Sequence, residues 1–186
     1  MAKNDKVKSR HRFLIPNKHC ISVHKVAELA YKAWLNCRID HRNINLSRVD
    51  DYHKPPIRLI EIQNTYYYYY SFERMRSAMQ FEADLRQPFI ISTSNDWDMK
   101  KMAWAEVLQL AFMRDVNHAL LWKTLKNDCP ASILKELMQV TSLEKKDYAN
   151  FANIKLHQLD YQQRLIPTKN RPLGLPHDMS WINKIR

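Results

Sequence analysis

The chain has 186 residues, 45% of them hydrophobic, and a formal net charge of +11; that is enough to bury the core of one domain and too apolar for wholesale disorder. Its single glycine, Gly174, excludes a Walker loop and a dinucleotide fingerprint, which need several glycines to wrap backbone N–H groups around phosphates. The basic balance points to a polyanionic partner such as DNA, RNA or a membrane surface, and without a run of about 18 apolar residues no membrane span is expected.

Residues 1–12 read as a flexible basic arm carrying Lys3, Lys6, Lys8, Arg10 and Arg12, a set suited to sequence-independent DNA contact. The arm lacks an apolar signal core. Cys20, Cys37 and Cys129 are an odd, unclustered set, so a reducing, cytoplasmic setting is expected. The apolar run 13–15 suggests a strand. Val23, Val26, Ala27, Ala30 and Trp34 recur at helical spacing behind Ser22, a candidate N-cap, which predicts a helix over 23–37. A polar stretch follows over 38–54.

Pro55 and Pro56 then force an extended entry. Residues 57–62 read as a strand, 63–65 as a turn and 66–70 as the returning strand. Phe72, Met75, Ala78 and Met79 share one face of a helix predicted over 72–85, and 89–92 is another short strand. From 98 to 126 the chain is apolar at helical spacing, giving one long helix or two that bend near Asn117 and His118. Pro130 opens a helix over 131–140. Thr141 and Glu144 make a capping-box pair for a helix running to about residue 165. The fold class is therefore α+β: a small mixed sheet with helices over 13–95, an all-helical part over 96–165 packed on it, and an extended tail over 166–186.

Three constellations bear on function. Cys20 with His24 and Cys37 with His41 could hold zinc. However, about 13 helical residues between the pairs would separate them by roughly 20 Å, so no structural zinc is expected. In a strand, Tyr66, Tyr68 and Tyr70 face one side and Tyr67 and Tyr69 the other. One side could stack nucleic-acid bases; the preferred reading is that helices cover both faces, with the phenol groups hydrogen-bonded at the rim. At the start of the next helix, Glu73 complements the helix dipole while Arg74 and Arg76 oppose it. Arginines so placed suit an anion held by N–H groups and guanidinium forks together; the alternative is a surface ion pair of Glu73 with a nearby arginine. Asp96 and Asp98 read as N-capping residues rather than metal ligands.

The order of Pro56-Ile57-Arg58-Leu59-Ile60-Glu61-Ile62, the five tyrosines, and Phe72-Glu73-Arg74-Met75-Arg76-Ser77-Ala78 resembles the ParB/sulfiredoxin fold. There a proline-led strand, a turn and an aromatic strand lead into a helix with a G-E-R-R-x-x-A motif. The segment from Cys20 to Val26 is similar to the strand-to-helix opening of that fold. Glu73 and Arg74 match the motif; its glycine is Phe72 here, its second arginine is Met75, and Arg76 stands close by. With helices added behind such a core, the chain resembles plasmid fertility inhibition factors of the oncogenic suppression activity (Osa) type. That resemblance implies a mobile-element protein that blocks conjugative or type IV secretion DNA transfer, at the coupling protein or relaxosome. It also implies DNase and ATPase activity, with ATP and a divalent metal. Glu73 and Arg74 would be the catalytic pair, and Arg74 and Arg76 the phosphate-binding pair. The alternative is a non-enzymatic ParB-like DNA-binding regulator or partition adaptor.

Overall fold

In the computed structural model, which describes residues 9–38, 56–113 and 116–165, β1 (Arg10–Leu14) and β2 (Ile21–Val23) precede a hairpin of β3 (Ile57–Ile62) and β4 (Thr65–Tyr68). The two turn residues of the hairpin, Gln63 and Asn64, have φ of 48° and 61°, as a two-residue turn that matches the strand twist requires. With β5 (Gln87–Ile91) these strands form a sheet of order β1-β5-β3-β4-β2. β1 runs antiparallel to β5, β5 parallel to β3, and β2 parallel to β4. Pro88 is tolerated in β5 because β3 first pairs one residue later, at Ile57 and Phe89; a missing N–H there breaks no ladder bond.

Strand alternation sorts side chains onto two faces. Leu14, Ile57, Leu59, Tyr66, Tyr68, Phe89 and Ile91 are buried on one. Helix α1 (Glu28–Cys37) lies against this face, its Tyr31 ring edge-on to Tyr68 with centroids 6.0 Å apart. Helix α2 (Phe72–Phe81) leads from β4 towards β5. The helical part comprises α3 (Asp96–Gln109), α4 (His118–Asp128), α5 (Ala131–Met138), α6 (Lys145–Phe151) and α7 (Leu156–Leu165). α1 packs on α3 and α4, and α4 on α7. Within this layer the buried His118 Nδ1 lies 2.9 Å from the Tyr148 hydroxyl, so both polar groups are satisfied as burial demands. No described helix is long and apolar enough to cross a membrane.

The α+β class, with helices filling the C-terminal part, is as expected. Several boundaries differ. β1 begins at Arg10, inside the residues expected to be an arm. The helix predicted over 23–37 is instead β2, a single 3-10 turn (Lys25–Ala27) and then α1. Ser22 sits in the strand opposite Tyr67, and His24 takes the capping role, accepting from the Val26 N–H at 3.3 Å. Pairing with β4 outweighs the helical spacing of Val23 and Val26, because β-branched residues suit a pleated surface. Of the two readings open for 98–126, the structure has two helices: α3 ends at Gln109, a 3-10 turn (Leu110–Phe112) follows, and α4 begins at His118, where Asn117 accepts from the Leu120 N–H at 3.0 Å. The capping box expected of Thr141 and Glu144 is one turn later: Glu144 is the N-cap, and the Asp147 carboxylate accepts its N–H at 3.2 Å. That helix also breaks, with Asn153 at φ 52° between α6 and α7. The stretch 39–55 and the tail 166–186 lie outside the described residues.

Candidate functional site

The start of α2 is built by a sharp change of direction. β4 ends at Tyr68, two residues short of the strand expected over 66–70; Tyr69 and Tyr70 bend away, and Ser71 takes a left-handed conformation, φ 58° and ψ 41°, before the helix begins. A non-glycine residue pays a steric penalty there, and such residues persist where surrounding structure holds them. Glu106 of α3 does the holding. Its carboxylate accepts the backbone N–H of Ser71 and that of Phe72, the latter at 2.6 Å. The positive end of α2 thus carries a carboxyl group supplied by the chain itself.

Glu106 is half-buried, and burial pushes its carboxyl up to about 7, against the pull of the Ser71, Phe72 and Glu73 N–H groups. The Glu73 charge adds to the upward push. Around it stand the aromatic residues that end the tyrosine run. Tyr70 and Tyr69 have ring centroids 5.0 Å apart. Burial raises both phenols, while Arg58 favours the ionised form of each and Arg74 that of Tyr70. Phe72 is fully buried, with ring centroids 5.1 Å from Tyr31 and 5.8 Å from Trp34.

The sequence-predicted residues divide accordingly. Glu73 is exposed and reaches the Arg38 guanidinium at 3.7 Å, the surface ion pair weighed above against anion docking. Arg38 in turn lies over the Trp34 ring, 5.1 Å from its centroid. Arg74 and Arg76 are half-buried on α2. Arg10 and Arg12 are strand residues rather than arm residues. Both pair with Glu61, Arg12 at 3.5 Å, and Arg12 also donates to the Tyr66 hydroxyl at 2.6 Å. They are thus partly neutralised within the sheet. Lys3, Lys6 and Lys8 lie outside the described residues.

Among the described residues no group of three or more His, Cys, Asp or Glu side chains could hold a metal ion. His41 falls outside them. Cys37 is buried at the end of α1, where its thiol is raised by burial and lies 3.6 Å from Thr124 Oγ1. The ten residues of α1 still set His24 and Cys37 about 15 Å apart along the chain. Asp96 and Asp98 open α3, but Asn95 is the cap, its side chain accepting from the Asp98 N–H at 2.8 Å.

Glu106 was missed by sequence reasoning. Its signal is a carboxylate within an apolar helical stripe, flanked by the buried Ala103, Val107 and Leu110; such a group needs a partner. No family model matches the chain, and neither a search of curated proteins nor one of solved structures returns a significant match.

Proposed function

We propose that this chain is a DNA-binding inhibitor of conjugative or type IV secretion DNA transfer, as its resemblance to Osa-type fertility inhibition factors implies, and that it holds DNA rather than cutting it. The observation that carries this reading is the occupied start of α2. Glu106 takes the N–H groups on which a phosphate would rest, and the buried Phe72 ring stands where the motif has glycine. These residues do not fit a triphosphate at that helix end. What supports DNA as the partner is the charge of +11, with Arg58 and the arginines of α2 near the site. The setting would be the cytoplasmic face of the transfer apparatus, at a coupling protein or relaxosome.

A fluorescence titration of labelled DNA at several salt concentrations tests the reading. The logarithm of affinity should fall linearly with the logarithm of salt, as counterion release requires. Replacing Arg74 and Arg76 together by alanine should reduce that slope by about 2. Absence of binding at low salt would remove DNA as the partner. DNA cleavage or ATP hydrolysis by the wild type that disappears in Arg74→Ala would show a working catalytic pair and overturn the holding role.

A further inference from the structure

The face of the sheet opposite α1 has a different character from the buried one. By strand alternation it carries His11 and Phe13 of β1, Pro88 and Ile90 of β5, Arg58, Ile60 and Ile62 of β3, and Tyr67 of β4. The tyrosines themselves are withdrawn from solvent as expected, Tyr66, Tyr68 and Tyr69 buried and Tyr67 and Tyr70 half-buried; the open part of this face lies on β1, β5 and the two ends of β3. Phe13 is 58% exposed and Ile62 43% exposed; His11, Arg58 and Pro88 are also exposed, and Tyr67 is half-buried. Two rings are therefore presented on a surface that a globular protein would otherwise bury.

Charge decides between possible occupants. The one carboxylate on the five strands, Glu61, pairs with Tyr66 across the hairpin and so belongs to the buried face, where Arg10 and Arg12 engage it. No strand position of the open face is acidic. Arg58 stands near its middle, and Arg86 places its guanidinium over Phe13, 5.2 Å from the ring centroid. An apolar protein partner would meet an arginine at the centre of its interface, where charge is usually depleted. A nucleic acid would find rings for its bases and guanidinium groups for its phosphates. Phe13 and Tyr67 lie three strand spacings apart and four residues out of register, about 19 Å in all, with the exposed Arg58 and the buried Ile60 between them. Only unpaired bases can offer their faces to rings set on a flat sheet.

Resting on the DNA-binding reading above, we propose that this open face is a platform for single-stranded DNA, with Phe13 and Tyr67 stacking bases and Arg58 and Arg86 holding the backbone. The test is fluorescence anisotropy of the full chain with a labelled dT20 oligonucleotide and with a duplex of equal length, at one salt concentration. The single strand should bind more tightly. Phe13→Ala should weaken it about tenfold or more with little change in salt slope, whereas Phe13→Trp should retain binding. Arg58→Ala should lower the salt slope by about 0.7. Thermal melts establish that the exposed Phe13 variants remain folded. Wild-type DNA binding that is indifferent to Phe13→Ala, or that favours the duplex, overturns the platform and leaves the DNA-binding reading intact. No binding of either DNA overturns both. A dimer in solution that Phe13→Ala dissociates would assign the face to a second copy of the chain and likewise overturn the proposal.

Discussion

Phe72→Ala should lower the unfolding free energy by about 3–5 kcal/mol, read from the midpoint of a urea transition at constant slope. The ring is fully buried among Tyr31, Trp34 and Tyr68, joining α1, β4 and α2 at one point. Deleting it removes apolar transfer energy and leaves a cavity that aromatic neighbours cannot easily collapse into. For a domain whose total stability is of the order of 5–15 kcal/mol, that is a large share. Phe72→Gly, which restores the residue of the resembled motif, should cost about 1 kcal/mol more through backbone entropy. Far from reinstating a phosphate cradle, it should yield a protein close to unfolding. A loss below about 1 kcal/mol for Phe72→Ala would mean that the ring is not a core element, and would reopen the start of α2 as a ligand site.

The second large effect is a pH dependence that belongs to Glu106. Burial holds its carboxyl up at about 7, against an ordinary 4.5. The folded state therefore binds the proton more tightly than the unfolded one between these values. Its stabilising contribution is complete below pH 4.5 and is lost as pH rises through about 7. At ~1.4 kcal/mol for each tenfold in proton affinity, the loss amounts to about 3 kcal/mol. His118 acts in the opposite sense, since burial lowers its pKa from 6.5. Its contribution is present above pH 6.5 and lost as pH falls through its lower folded value, so the two overlap in the wild-type profile. Glu106→Gln isolates the first: the variant keeps an oxygen to accept one N–H but cannot titrate. Chemical unfolding at pH 5 and pH 8 should show the wild type losing stability relative to Glu106→Gln as pH rises. A difference that stays constant across that range would assign the carboxyl an ordinary pKa and refute the account of its burial.

These two residues show where reading the chain residue by residue succeeds and where it stops. Phe72 was placed at the opening of α2 and on its apolar face by local periodicity alone, together with Met75 and Ala78. Its role as the joint between sheet and helical layer was not visible, because Tyr31 and Trp34 lie some forty residues earlier. Inside its apolar helix Glu106 gives no local sign of its partners, because these are the N–H groups of Ser71 and Phe72, 35 and 34 residues away. Charge alone points Arg10 and Arg12 to DNA, yet they face Glu61 of β3 across the sheet.

What the amino-acid order determined by itself was local: the β3–β4 hairpin, its turn within residues 63–65, the α+β succession, and the impossibility of a glycine-rich phosphate loop. Each depends on neighbours within a few positions, where periodicity, β-branching and capping chemistry act directly. The tertiary structure alone decided that Val23 joins residues 21 and 22 in pairing with β4 instead of opening a helix, that the positive end of α2 is closed by Glu106, and that one sheet face is buried while the other presents Phe13 and Arg58. Those outcomes turn on pairing and burial between distant segments, which local patterns do not encode. They also decide which arginines are already engaged within the protein and which stand beside exposed rings.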